Sequence, residues 1–114
     1  MIEAVYRELC RVARRGGVTH YANIASLLGV SIGEAAGRQR VAELLKQISA
    51  AEHAAGRPLL SAVVVMKGKK LPGAGFFALA QSVGLYDGAD PQGFWQREVQ
   101  RVWEYWGTEQ VAYF

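Results

Sequence analysis

Residues 17–34, GVTHYANIASLLGVSIGE, decide how the chain reads. Thr19 offers a hydroxyl to the free amides of a short helix over residues 20–28, and Gly29 closes it, because glycine enters the left-handed region at little cost. Ser31 and Glu34 stand three apart, the spacing of a capping box, in which hydroxyl and carboxylate satisfy each other's backbone donors and open the next helix. A short helix, a tight turn and a second capped helix form the core of a helix-turn-helix.

Working outward, Ile2, Val5, Tyr6, Leu9, Val12 and Ala13 recur at helical spacing, with Glu3, Arg7, Glu8 and Arg11 on the other side. Gly16 and Gly17 stop this first helix. In the third helix Gly37, Val41, Leu44, Leu45, Ile48, Ala51 and Ala55 share a face, Arg38 and Arg40 flank it, and Gln39, Glu43 and Lys46 lie outside. Gly56 and Pro58 end it. The run Leu59 to Met66 is short and β-branched, which predicts a buried strand. Lys67-Gly68-Lys69-Lys70 reads as a basic turn, with a short returning strand near Lys69 to Leu71 completing a hairpin. Phe76, Phe77, Leu79, Ala80 and Val83 fit a fourth helix closed by Gly84. Asp90 and Pro91 announce a last helix, carrying Phe94, Trp95, Val99, Val102, Trp103 and Trp106 on one stripe and ending at Gly107.

The expected fold is α+β and mostly helical, winged helix-turn-helix-like, with one small β-hairpin and a C-terminal helix. The 114 residues predict one domain, a winged-helix-like core over 1–85 and a helix and tail over 86–114. With 51% hydrophobic and 20% charged residues, the chain buries enough apolar surface to fold, which excludes an intrinsically disordered protein. No apolar run approaches the length of a membrane span, and the start lacks a secretory pattern, so a cytoplasmic protein without membrane contact is expected. Cys10 is the lone cysteine, and with two histidines the chain offers no cluster at metal-ligand spacing; no metal or cofactor is expected.

Charge points to a partner. The chain carries +3 in all, but residues 58–86 alone carry Lys67, Lys69 and Lys70 with no acid, while residues 87–114 are net negative. Flexible ammonium groups on a glycine-containing tip suit phosphates, whose neutralisation releases counterions. In a winged helix the reading helix enters the major groove, which makes Ser31, Glu34, Arg38 and Gln39 the candidate contacts, with Arg38 able to make a bidentate bond to guanine or phosphate. The Gly33 and Gly37 pair permits close approach of another helix or a nucleic-acid backbone. The functional expectation is a non-catalytic domain that binds nucleic acid, duplex DNA in particular.

The stretch Gly17 to Gly29 resembles the turn-and-helix segment of the DNA-binding domain in alkylguanine DNA alkyltransferases and alkyltransferase-like proteins, where a threonine and tyrosine precede a short helix ending in Leu-Gly. Pro58, the Val63-Val64-Val65 run and the Gly73-to-Phe76 turn are similar to that family's proline, active-site strand and glycine-rich turn, so the resemblance covers residues 2–85. It implies DNA binding. It does not imply alkyl transfer, which that family performs on the cysteine of a Pro-Cys-His-Arg motif, whereas Pro58 is followed here by Leu59-Leu60-Ser61.

Two other classes compete. Glu52, His53, Arg57 and Ser61 gather where the third helix meets the strand, and a histidine facing a serine would be the start of a small hydrolase-like site. Trp95, Trp103, Tyr105, Trp106, Tyr113 and Phe114 concentrate aromatic surface at the C-terminus, which suits a protein partner or a homodimer through Trp106, Tyr113 and Phe114.

Overall fold

The computed structural model describes residues 2–111. Its elements are α1 (Ile2–Arg14), β1 (Thr19–His20), α2 (Tyr21–Leu28), α3 (Ala35–Ala54), a 3-10 turn (Leu60–Val63), β2 (Val64–Val65), α4 (Ala74–Ser82) and α5 (Pro91–Val111). The chain is mostly helical, with a single two-stranded sheet among the described residues.

The apolar run Leu59 to Val65 is the centre of the core, and every residue in it is buried. Helices α1, α3 and α5 all pack against it. Surrounded on all sides, it does not form the long strand that its β-branched composition predicts. Residues 60–63 coil into a 3-10 turn and only Val64 and Val65 extend. Backbone groups taken out of water need partners, and here the surrounding helices supply them with side chains. Glu98 on α5 accepts the Leu59 N–H at 2.8 Å, Ser49 on α3 accepts the Ser61 N–H at 3.0 Å through its hydroxyl, and the Trp95 indole donates to the Ala62 carbonyl at 2.8 Å.

The expected hairpin is corrected by this arrangement. Val64 and Val65 pair in parallel with Thr19 and His20, in the register Thr19 to Val64 and His20 to Val65. The lysine segment folds back only as a turn, closed by Met66 N–H donating to the Leu71 carbonyl at 2.8 Å and by Lys69 and Lys70 N–H on the Met66 carbonyl. No returning strand at 69–71 stands among the described residues.

The caps also differ. Thr19 lies in β1, and its hydroxyl accepts from the Asn23 side chain at 2.9 Å instead of from a helix amide. Ser31 and Glu34 do not form a capping box. The Ser31 hydroxyl accepts the Gly33 N–H at 3.1 Å in a local turn, and Glu34 caps α3 by backbone alone. That turn lies so close over α3 that a Cβ at Gly37 would collide with the Ser31 carbonyl oxygen. The close approach permitted by Gly37 is therefore used by the chain's own loop. Asp90 does cap α5, accepting the Gly93 N–H at 3.1 Å, and α5 passes through Gly107 to Val111 rather than ending there.

Three substitutions at two positions test this account. Glu98→Ala strands the buried Leu59 amide, so urea unfolding should show a loss of about 2 kcal/mol, whereas Glu98→Gln keeps an acceptor oxygen and should lose less. Gly37→Ala should lower stability by about 1–3 kcal/mol, because the Ser31 turn must shift to make room.

Candidate nucleic-acid interface

Between α2, the first half of α3, the lysine turn and the start of α4 lies a groove of about 380 Å³. The sequence explains each wall. His20 and Tyr21 stand at the junction of β1 and α2, so the parallel pairing with β2 holds them next to the turn that follows Val65. On α3, Arg38, Ala42 and Lys46 succeed each other one helical turn apart, beside Val41 and Leu45, which gives a strip half apolar and half basic. Met66 and Lys67 come from the turn after β2, and Gly73, Ala74, Gly75 and Phe76 from the start of α4.

Hydrogen bonds hold the walls in place. The Gly73 N–H donates to the Tyr21 hydroxyl at 2.6 Å, which ties α4 to α2 across the groove. Burial pushes the Tyr21 phenol above its ordinary pKa, an effect that the Gly73 amide opposes, so the group is a protonated hydroxyl at neutral pH. Its hydrogen has no acceptor among the described residues. His20 Nδ1 lies 3.3 Å from the Val65 carbonyl oxygen. A carbonyl only accepts, so Nδ1 carries the proton, and in the neutral ring Nε2 is left as a bare acceptor.

Of the seven predicted contact residues, Arg38 and Lys67 line the groove. Ser31, Glu34, Gln39, Lys69 and Lys70 are exposed but stand outside its lining. Arg38 is not wholly free, since its Nη1 donates to the Ile32 carbonyl at 2.9 Å and fastens the 31–34 turn to α3. Its remaining N–H groups can still meet an anion. Lys46, His20 and Tyr21 were not among the predicted contacts. For Lys46 the signal was the four-residue spacing from Arg38 through Ala42; for the other two it was long-range pairing, which no local spacing reports.

The lining residues include Arg38, Lys46, Lys67 and His20 and contain no aspartate or glutamate. Three acids are held in ion pairs away from this lining. Glu8 pairs with Arg11, Glu52 with Arg57 and Glu98 with Arg101.

The alternative clusters come apart in space. Glu52 is buried and takes both Arg57 bonds, at 3.0 and 2.7 Å, together with the Tyr6 hydroxyl at 3.2 Å. Burial and the Glu52 charge raise the Tyr6 pKa, and the Glu52 bond raises that of Arg57, so the phenol keeps its proton and the guanidinium its charge. The Ser61 hydroxyl instead faces Ser49, with 2.6 Å between the oxygens, and His53 shares no hydrogen bond with it. A nucleophile and base pair is therefore not assembled. Trp106 is buried, edge-on to Tyr6 and beneath Arg14, which leaves it no outward face as a dimer anchor; Tyr113 and Phe114 lie outside the described residues. Among the described residues no group of three or more His, Cys, Asp or Glu side chains could hold a metal, and no helix is long and apolar enough to cross a membrane.

No protein-family model matches the chain, and no curated protein or solved structure matches it.

Tyr21→Phe removes the acceptor of the Gly73 amide. It should lower stability by about 1–2 kcal/mol in urea unfolding, with the exchange of the Gly73 amide proton, followed by NMR, quickened more than that of amides in α1.

Proposed function

We propose that the chain is a nucleic-acid-binding module that presents α3 and the lysine turn to duplex DNA. The observation that carries this reading is electrostatic: Arg38, Lys46 and Lys67 border one groove with no carboxylate in its lining, and Lys69 and Lys70 are exposed on the same turn. Like charges gathered in one place destabilise a fold unless something outside neutralises them, and a phosphodiester backbone does so along a line.

The order of elements supports the same reading. Three helices precede a basic turn, the order of elements in a winged helix, and in this reading α3 is the reading helix and the turn stands in place of a wing. Of the residues that carry the alkyltransferase resemblance, Tyr21 on one side and Gly73 to Phe76 on the other line the groove. Cys10, by contrast, is buried in α1 and takes no part in its lining, so alkyl transfer to a cysteine is not included in the proposed function.

Fluorescence anisotropy with labelled duplex and single-stranded oligonucleotides over a salt series tests the proposal. Binding should fall steeply with salt, and replacing Lys67, Lys69 and Lys70 together with glutamine should reduce the slope of log K against log salt by up to about three. An unchanged slope removes the turn from the interface, and the absence of any oligonucleotide binding by the unaltered protein overturns the function.

A further inference from the structure

The groove offers more than positive charge. A phosphate backbone lying across α3 would meet its mouth, but the interior walls are Ile32, Val41, Leu45, Met66, Phe76 and Leu79. Apolar walls gain nothing from a phosphate and much from an apolar solute that displaces water from them. A volume of about 380 Å³ falls in the range of sites for small organic ligands.

Polar groups are few and placed where an orienting contact is needed. The Tyr21 hydroxyl has a hydrogen to donate, and His20 keeps its Nε2 side, away from the Val65 carbonyl, for a further hydrogen bond. Lys46 and Lys67 are exposed, each tied to no carboxylate among the described residues. Gly75 adds an independent observation. Its φ is not in the left-handed region, and a Cβ there would meet no atom within 4 Å, so neither backbone conformation nor packing demands a glycine. Its smallness leaves open space in the wall of the groove.

We infer that the groove is a binding site for a small amphipathic organic anion, an apolar body lying against the aliphatic and aromatic walls with a single carboxylate, sulfonate or phosphate head at Lys46 and Lys67. The ligand is a molecule free in solution, so the inference goes beyond nucleic-acid binding, although a base and its phosphate within a strand share the same chemistry.

Anilinonaphthalene sulfonate has this build and brightens when its ring system leaves water, so it serves as the probe, with the uncharged phenylnaphthylamine as its neutral counterpart. The unaltered protein should show saturable one-site binding of the sulfonate. Lys46→Glu with Lys67→Glu should weaken it by about tenfold or more while leaving the neutral dye unaffected. Ala42→Trp, at an exposed position on the groove wall, should weaken both dyes by filling the space. All three positions are exposed, and urea unfolding of each variant confirms that it remains folded. Sulfonate binding that is absent in the unaltered protein, or that survives either set of substitutions in a folded variant, overturns the inference. Dye binding without oligonucleotide binding overturns the nucleic-acid reading alone. Oligonucleotide binding without a dye site overturns this inference alone.

Discussion

The fold depends on satisfying a buried, irregular backbone. Leu59 to Val65 threads the middle of the molecule, and because it is neither a full helix nor a full strand it cannot pair all its amides and carbonyls internally. Glu98, Ser49 and Trp95 reach in from two helices to complete it. Each of these bonds is also a positional constraint. A carboxylate that must meet the Leu59 amide sets α5 along its axis, and a serine that must meet Ser61 sets the rotation of α3. Burial of Leu59, Leu60, Val63 and Val64 supplies the driving force, and the polar side chains choose one packing among the many that hydrophobicity alone would allow.

The groove follows from that choice. Once α3 is fixed by its inner face at Val41, Leu45, Ile48 and Ser49, its Arg38, Ala42 and Lys46 edge must border whatever lies beside it. The β1 and β2 pairing brings His20 and Tyr21 to the same place, and the Tyr21 hydroxyl draws in the start of α4. Three parts of the chain far apart in sequence thus share one concave surface, and its charge is positive because Arg38, Lys46 and Lys67 line it and no carboxylate does.

Much of this was legible in the sequence. The stripes of α1, α3, α4 and α5 appear as helical periodicity, and Asp90 with Pro91 marks the start of α5 by local chemistry alone. What failed was long-range. A run such as Leu59 to Met66 looks the same whether it pairs with a neighbouring strand or is enclosed by helices, since composition reports burial and not the identity of the neighbours. The parallel partner at Thr19 and His20 is too short to carry a pattern. Ser31 and Glu34 have the right spacing for a capping box, yet the Ser31 hydroxyl takes the Gly33 N–H within its own turn, which crosses closely over Gly37. At the groove, the lysines were visible as a cluster, whereas the contribution of Tyr21 required knowing that Gly73 returns to it across 52 residues.

Helix α5 has one more property. Trp95 grips Ala62, Glu98 grips Leu59, and Trp103 donates to the Gly17 carbonyl at 2.9 Å, so the helix is bonded to two remote parts of the chain. Its covalent link to α4 is, by comparison, a mostly exposed stretch anchored by Tyr86, with left-handed glycines at Gly84 and Gly88. Peptide continuity there adds little to the clasp. A chain severed in that stretch would keep its two pieces together through the core, and the protein is in this sense a natural candidate for splitting and reassembly, or for new termini placed between α4 and α5.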